Sequence, residues 1–161
     1  FKIITASDPV SEAIAKAIMH RLKFDNDTLR KVTKLVFYHD LRMPATPRNV
    51  RRAMNQIGLE LFPYYLKVRR ADTLAQSMYM REKKLKNIQE MEETYEQILE
   101  RRQCVSLKDL AVKGGDLLAI GVERGPQIGE VLDQLLEVVL EEPEKNQKEQ
   151  LLEEAAKLIK S

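Results

Sequence analysis

Residues 114–140 read GGDLLAIGVERGPQIGEVLDQLLEVVL, and the fold turns on how this stretch is punctuated. It divides into two apolar helices hinged on glycines. Gly121 stands where a helix C-cap needs a left-handed residue. Gly125 precedes Pro126, whose fixed φ pre-sets the first turn of the next helix. The amides of Gln127, Ile128 and Gly129 are then expected to point outward, unpaired, from the positive helix end beside Arg124. Such an end attracts anions. Gly129, with no side chain, would let a phosphate or another backbone come close. Two readings follow: a helix-hairpin-helix type grip on nucleic-acid backbone, or a plain αα-corner with Gly129 packed against a neighbouring helix.

Outward from this stretch the chain stays helical. Its 161 residues are 43% hydrophobic, with six glycines, six prolines and no Trp. Leu, Ala, Glu, Lys, Arg and Gln dominate, a mixture that favours helix. No segment alternates apolar and polar residues in the manner of a strand, so the expected class is all-α. No apolar run is long enough to span a bilayer, and the start FKIITASDP lacks the regions of a signal peptide. A single cysteine, Cys104, excludes an internal disulfide and fits a reducing compartment, so a cytoplasmic protein is expected. The chain opens on Phe1 with no capping signal of its own, which suggests a piece of something longer.

The helix starts and stops are legible. Asp8 as N-cap and Pro9 predict a helix whose apolar stripe is Val10, Ile14, Ala17, Ile18 and Leu22. Asp25 or Asn26 caps the next, carrying Leu29, Val32, Leu35 and Val36. Thr46 and Pro47 open a third helix that Gly58 stops. Helices from about Leu61 to Ser77 and from about Met80 to Arg102 follow. The second has a one-sided stripe of Leu85, Ile88, Met91, Tyr95 and Ile98. Composition shifts at 102–106, which predicts a helical body over 1–103 and a small helical tail over 104–161. In the tail, Ser106 and Asp109 suggest a capping box for a short helix that Gly114 ends. A polar break at Pro143 precedes a last helix from about Asn146 to Lys160.

Charge divides the chain unevenly. Residues 1–86 hold 18 Lys or Arg against 8 Asp or Glu, whereas 87–161 hold 9 against 17. The basic half attracts polyanions. Its clusters are Arg48, Arg51 and Arg52 within about one helical turn, flanked by Arg42, and Lys67, Arg69 and Arg70 after Tyr64-Tyr65. Guanidinium forks suit phosphates, and an exposed tyrosine stacks on a base or sugar. The competing reading makes the tyrosines core and the arginines partners in surface ion pairs.

The tail from Gly121 onward, with the pattern GxxxGPxIGxxLxxLLExVLxxP, resembles the C-terminal region of bacterial CCA-adding tRNA nucleotidyltransferases of the poly(A) polymerase superfamily. Upstream, HRLKFDNDTLRKVTKLVFYHDLRM and VRRAMNQIG…LKVRRADTLAQS resemble the HD-type helical region before that tail, so the resemblance covers almost the whole chain. It implies that catalysis belongs to an N-terminal head with paired aspartates, using Mg2+ with ATP and CTP selected by a neck domain. A Gly-Ser turn followed by an Asp-x-Asp pair, as in that head, does not occur in these residues. It further implies a tRNA-binding role for this region. The residues assigned to RNA contact are Arg48, Arg51, Arg52, Lys67, Arg69, Arg70, Arg124, Gly125, Gln127, Ile128 and Gly129, with no catalytic or metal-ligating residue among them.

Two alternatives remain. An HD-type metal-dependent phosphohydrolase needs several His and Asp ligands, and the chain has only His20 and His39. His39-Asp40 is a literal His-Asp pair, but by resemblance it lies beyond the motif's usual place. Asp72 matches the last aspartate of that pattern and is expected to pair with Arg69 or Arg70, or to cap a turn. Cys104 reads as a small buried hydrophobe. The third possibility is a helical protein-interaction module, its oligomeric state open.

Overall fold

The computed structural model describes residues 9–159. Among them it contains eight α-helices and two short 3-10 turns and no strand, so the protein is all-α. The helices are α1 (Pro9–Arg21), α2 (Asn26–Tyr38), α3 (Pro47–Ile57), α4 (Phe62–Ala75), α5 (Arg81–Glu100), α6 (Gly114–Ala119), α7 (Pro126–Glu141) and α8 (Lys148–Ile159). The chain forms two compact units, residues 1–96 and 97–161, the division falling in the last turns of α5.

In the first unit the starts of α2 and α3 follow side-chain chemistry. Asp25 caps α2, its carboxylate accepting from the Thr28 amide at 2.9 Å and the Thr28 hydroxyl at 2.5 Å. Thr46 caps α3 and accepts from the Asn49 amide at 3.3 Å, with Pro47 in the first turn. Gly58, at φ 96°, stops α3 in a conformation that costs other residues dearly. The core gathers Leu41, Met43, Val50, Ala53, Met54, Ile57, Phe62, Tyr65, Leu66, Ile88 and Met91. Phe62 stacks between Tyr65 and Tyr95, with ring centroids 5.5 and 5.2 Å away. Truncating Phe62 to Ala would cost about 3–5 kcal/mol.

One expectation fails in this unit. The apolar stripe of α1 does not face the core: Val10, Ile14, Ala17, Ile18 and Leu22 are exposed. α1 packs on α2, and its buried or half-buried residues are Ser11, Glu12, Ala15 and Met19. These recur at helical spacing on a different face, where Met19 is the residue fully buried. Periodicity finds the stripe, but neighbours decide which side is covered. Asp8, the expected N-cap, lies outside the described residues.

The second unit packs α6, α7 and α8 around Leu110, Val112, Leu117, Val131, Leu135, Val139, Leu140, Leu151 and Ala155. Asp109 accepts from the amide and hydroxyl of Ser106, at 3.1 and 2.7 Å, as the sequence suggests. The element it opens is only a 3-10 turn, Leu107–Asp109. Gly114 begins α6 and ends nothing: Lys113 precedes it with a β-type backbone, and the Lys113 amide donates to Asp116 at 2.8 Å. Asn146 ties the unit together, accepting from the Ala111 amide and donating to the Asp109 carbonyl.

Candidate nucleic-acid interface

The α6–α7 corner has the shape its glycines dictate. Gly121 turns the chain at φ 95° and Gly125 at φ 121°, ψ −147°, a region open almost only to glycine. Pro126 then starts α7, with no side-chain cap and no acidic residue in the first turn. No carboxylate of the first turn therefore offsets the positive end of the helix. Arg124, Gly125, Pro126 and Gly129 are exposed.

The amides of that end do not all point outward. The Ile128 amide donates to the Gly125 carbonyl at 3.3 Å, which tightens the first turn. Gly129 is the position where the ordinary helical ladder begins. The free donor that geometry leaves is the amide of Gln127. Its side chain is occupied, for Gln127 Oε1 accepts from the Glu123 amide at 3.0 Å and braces the loop. Ile128 packs inward, its Cγ2 only 3.2 Å from where a side chain on Gly114 would begin. Gly129 faces open space, with nothing within 4 Å of an added Cβ. The corner reading with Gly129 pressed against a neighbouring helix does not fit that geometry.

The basic side chains of the first unit separate by burial. Arg51 is 4% exposed, on the face of α3 that also carries Val50, Ala53, Met54 and Ile57. Arg69 is 9% exposed on α4. Neither belongs to an open surface, because each falls on the inward stripe of its helix; this corrects the surface grouping read from spacing alone. Arg48 and Arg52 are half-buried. Lys67 is exposed, its ammonium 5.5 Å from the centre of the Tyr64 ring. Arg70 pairs with Glu92 at 2.5 Å. The two tyrosines divide likewise: Tyr64 is exposed, whereas Tyr65 is fully buried and donates to the Leu41 carbonyl at 3.1 Å. Burial pushes the Tyr65 phenol upward, against the opposing pull of Arg69.

A feature the sequence reading missed lies in the first unit. Arg42, Met43, Pro44, Arg69, Tyr79, Met80, Lys83, Lys84 and Asn87 line a cavity of about 740 Å³. Its signal was present in SMYMREKK, an aromatic-thioether joint running into a basic helix start. The joint turns sharply, with Met80 at φ 58°.

Asp72, His39, Asp40 and Cys104 each make local contacts. Asp72 does not pair with Arg69 or Arg70; it accepts from the Gln76 side chain at 2.6 Å, near the end of α4. His39 Nδ1 lies 2.6 Å from the Val36 carbonyl, and Asp40 pairs with Arg42 at 3.0 Å. Among the described residues no three His, Cys, Asp or Glu side chains converge as a metal site. Cys104 is buried, its thiol directed to the Ser106 carbonyl, and burial raises its pKa to about 11. No helix among the described residues is long and apolar enough to cross a membrane.

Over residues 3–155 the chain matches the model of a family described as tRNA nucleotidyltransferase domain 2. No curated protein and no solved structure matches it.

Proposed function

The chain belongs to the tRNA nucleotidyltransferase domain 2 family, and on that premise we propose that it is the region that holds tRNA while a catalytic head adds nucleotides to the 3′ end. The observation that carries this reading is the start of α7. It is an exposed helix end without an acidic residue in its first turn, opened by a glycine no other residue replaces comfortably, with Arg124 beside it. The Gln127 amide and the Arg124 guanidinium take a backbone phosphate, and the bare Gly129 leaves room for it. In the first unit, Arg48, Arg52 and Lys67 supply further phosphate contacts. Mg2+, ATP and CTP belong, on this reading, to the head and neck, and CCA addition is the reaction served.

Recognition of this kind is by backbone shape and charge, so it depends steeply on salt because each neutralised phosphate releases counter-ions. It also favours a folded tRNA over an unstructured strand. The test is binding of the chain to a tRNA transcript and to a single-stranded RNA of equal length, at low and high salt. Preference for tRNA that fades with salt, and that weakens in Arg124→Glu, is the expected result. Equal binding of both RNAs, or tRNA binding untouched by Arg124→Glu, would overturn it.

A further inference from the structure

We propose that the cavity formed by the α2–α3 joint, α4 and the start of α5 binds a nucleotide. Its phosphate would lie on Arg69 and Lys83, and its base against Tyr79. The strongest sign is Arg69. The residue is nine-tenths buried, its guanidinium lies 5.8 Å from the centre of the Tyr65 ring, and its hydrogen bonds go to the Tyr65 hydroxyl at 3.3 Å and the Met91 sulfur at 3.4 Å, neither of them an anion. A buried charge is ordinarily matched by a counter-charge, because desolvation otherwise goes uncompensated. The cavity that Arg69 lines carries three more cations, Arg42, Lys83 and Lys84, and no carboxylate.

Two of those cations are already engaged. Arg42 is held by Asp40, and Lys84 donates to the Gln76 side chain at 2.7 Å. Lys83 stands exposed at the rim. An arriving phosphate thus meets a buried arginine within and an exposed ammonium outside.

The remainder of the lining asks for more than phosphate. Met43, Pro44, Tyr79 and Met80 are apolar, and the volume falls in the range of small-molecule sites, about 300–1,000 Å³. Tyr79 is 80% exposed. An aromatic ring so placed beside cations is a stacking platform for a base. The choice of a nucleotide over another phosphorylated ring rests on the reading of this chain as an RNA-binding region. The anion site itself does not.

The test is calorimetric titration of the chain with AMP, a short oligoadenylate and inorganic phosphate. AMP should bind more tightly than phosphate. Tyr79→Ala should weaken AMP by about ten-fold while leaving phosphate unchanged, and Lys83→Glu should weaken all three. Arg69→Met should abolish binding; should that variant unfold, the two exposed substitutions decide alone. Displacement of AMP by the oligoadenylate would make an unpaired stretch of RNA the source, and failure to displace it would make the source a free nucleotide. Failure of both AMP and oligoadenylate to bind at millimolar concentration in low salt, or binding unchanged in Tyr79→Ala and Lys83→Glu, overturns the proposal. If tRNA binding is sensitive to Arg124→Glu while AMP does not bind, this inference falls and the tRNA reading stands. AMP binding with no tRNA preference gives the reverse.

Discussion

Helices α3 and α7 begin alike in sequence and differently in chemistry. Each has a proline in its first turn and neither has an acidic residue there. In α3 a side chain answers the exposed backbone donors, with Thr46 accepting from Asn49. In α7 the corresponding residue is Gly125, which has nothing to offer, and the helix tightens its own first turn instead through Ile128. The arginines follow the same division. α3 folds Arg51 into its packed face, whereas Arg124 stays in solvent. A helix start that consumes its polar groups internally is architecture, and one that leaves them open is available to a ligand.

The comparison breaks most visibly at the arginines. Arg51→Glu should destabilise the first unit by about 3 kcal/mol or more, since it reverses a charge in a buried position. Arg124→Glu should leave stability nearly unchanged and weaken tRNA binding. Denaturant unfolding beside a binding titration separates the two. Next is Gly125→Ala, where an L side chain must adopt a backbone conformation kept almost wholly for glycine. A loss of about 1–3 kcal/mol in the second unit is expected, read as a lower unfolding midpoint with the slope preserved.

Smaller effects sharpen the contrast by sign. Thr46→Ala should cost about 1 kcal/mol through the lost cap and leave RNA binding alone. Gly129→Glu should move the two readouts in opposite directions. It should raise stability by about 0.5–1 kcal/mol, since glycine is replaced at an uncrowded helical position, and it should weaken RNA binding by placing a carboxylate at the anion site. A Gly129→Glu variant that binds tRNA normally would return α7 to the architectural class.

The smallest effect is a pH dependence at the carboxylate-capped start of α2. The Thr28 hydroxyl and then the Thr28 amide hold the Asp25 carboxyl below its ordinary 3.8. A lowered folded-state value means that the cap's contribution is full above the ordinary carboxylate range. It is lost as pH falls through the lowered value. Asp25→Asn should flatten that acid limb of thermal stability, and an unchanged limb would show that other carboxylates set it.

The helix starts were legible because capping is local. Asp25, Thr46, Gly58, Gly121 and Gly125 act through neighbours a few residues away, and each sits where its chemistry predicts. Burial was less legible, because it depends on what arrives from elsewhere. The stripe of α1 and the inward turn of Arg51 and Arg69 are facts about packing partners that spacing along one helix does not contain. Gly114 was misread for a related reason, since a glycine signals a break and not which side of the break is helical. The cavity behind Tyr79 assembles three separated segments, and only its aromatic-basic stretch left a mark in the sequence. At α7 the corner was visible, but not the Ile128 amide's return to Gly125, which is a matter of tenths of an ångström.

Cys104 gives this chain a clock. It is the sole thiol, buried in the second unit, and raised to about 11 it is scarcely ionised at neutral pH. A soluble alkylating reagent must wait for that unit to open before it reacts. Where reclosing outpaces alkylation, the rate of labelling tracks the population of the open form. Any RNA that docks on α7 should make the clock run slower in proportion to how tightly it holds.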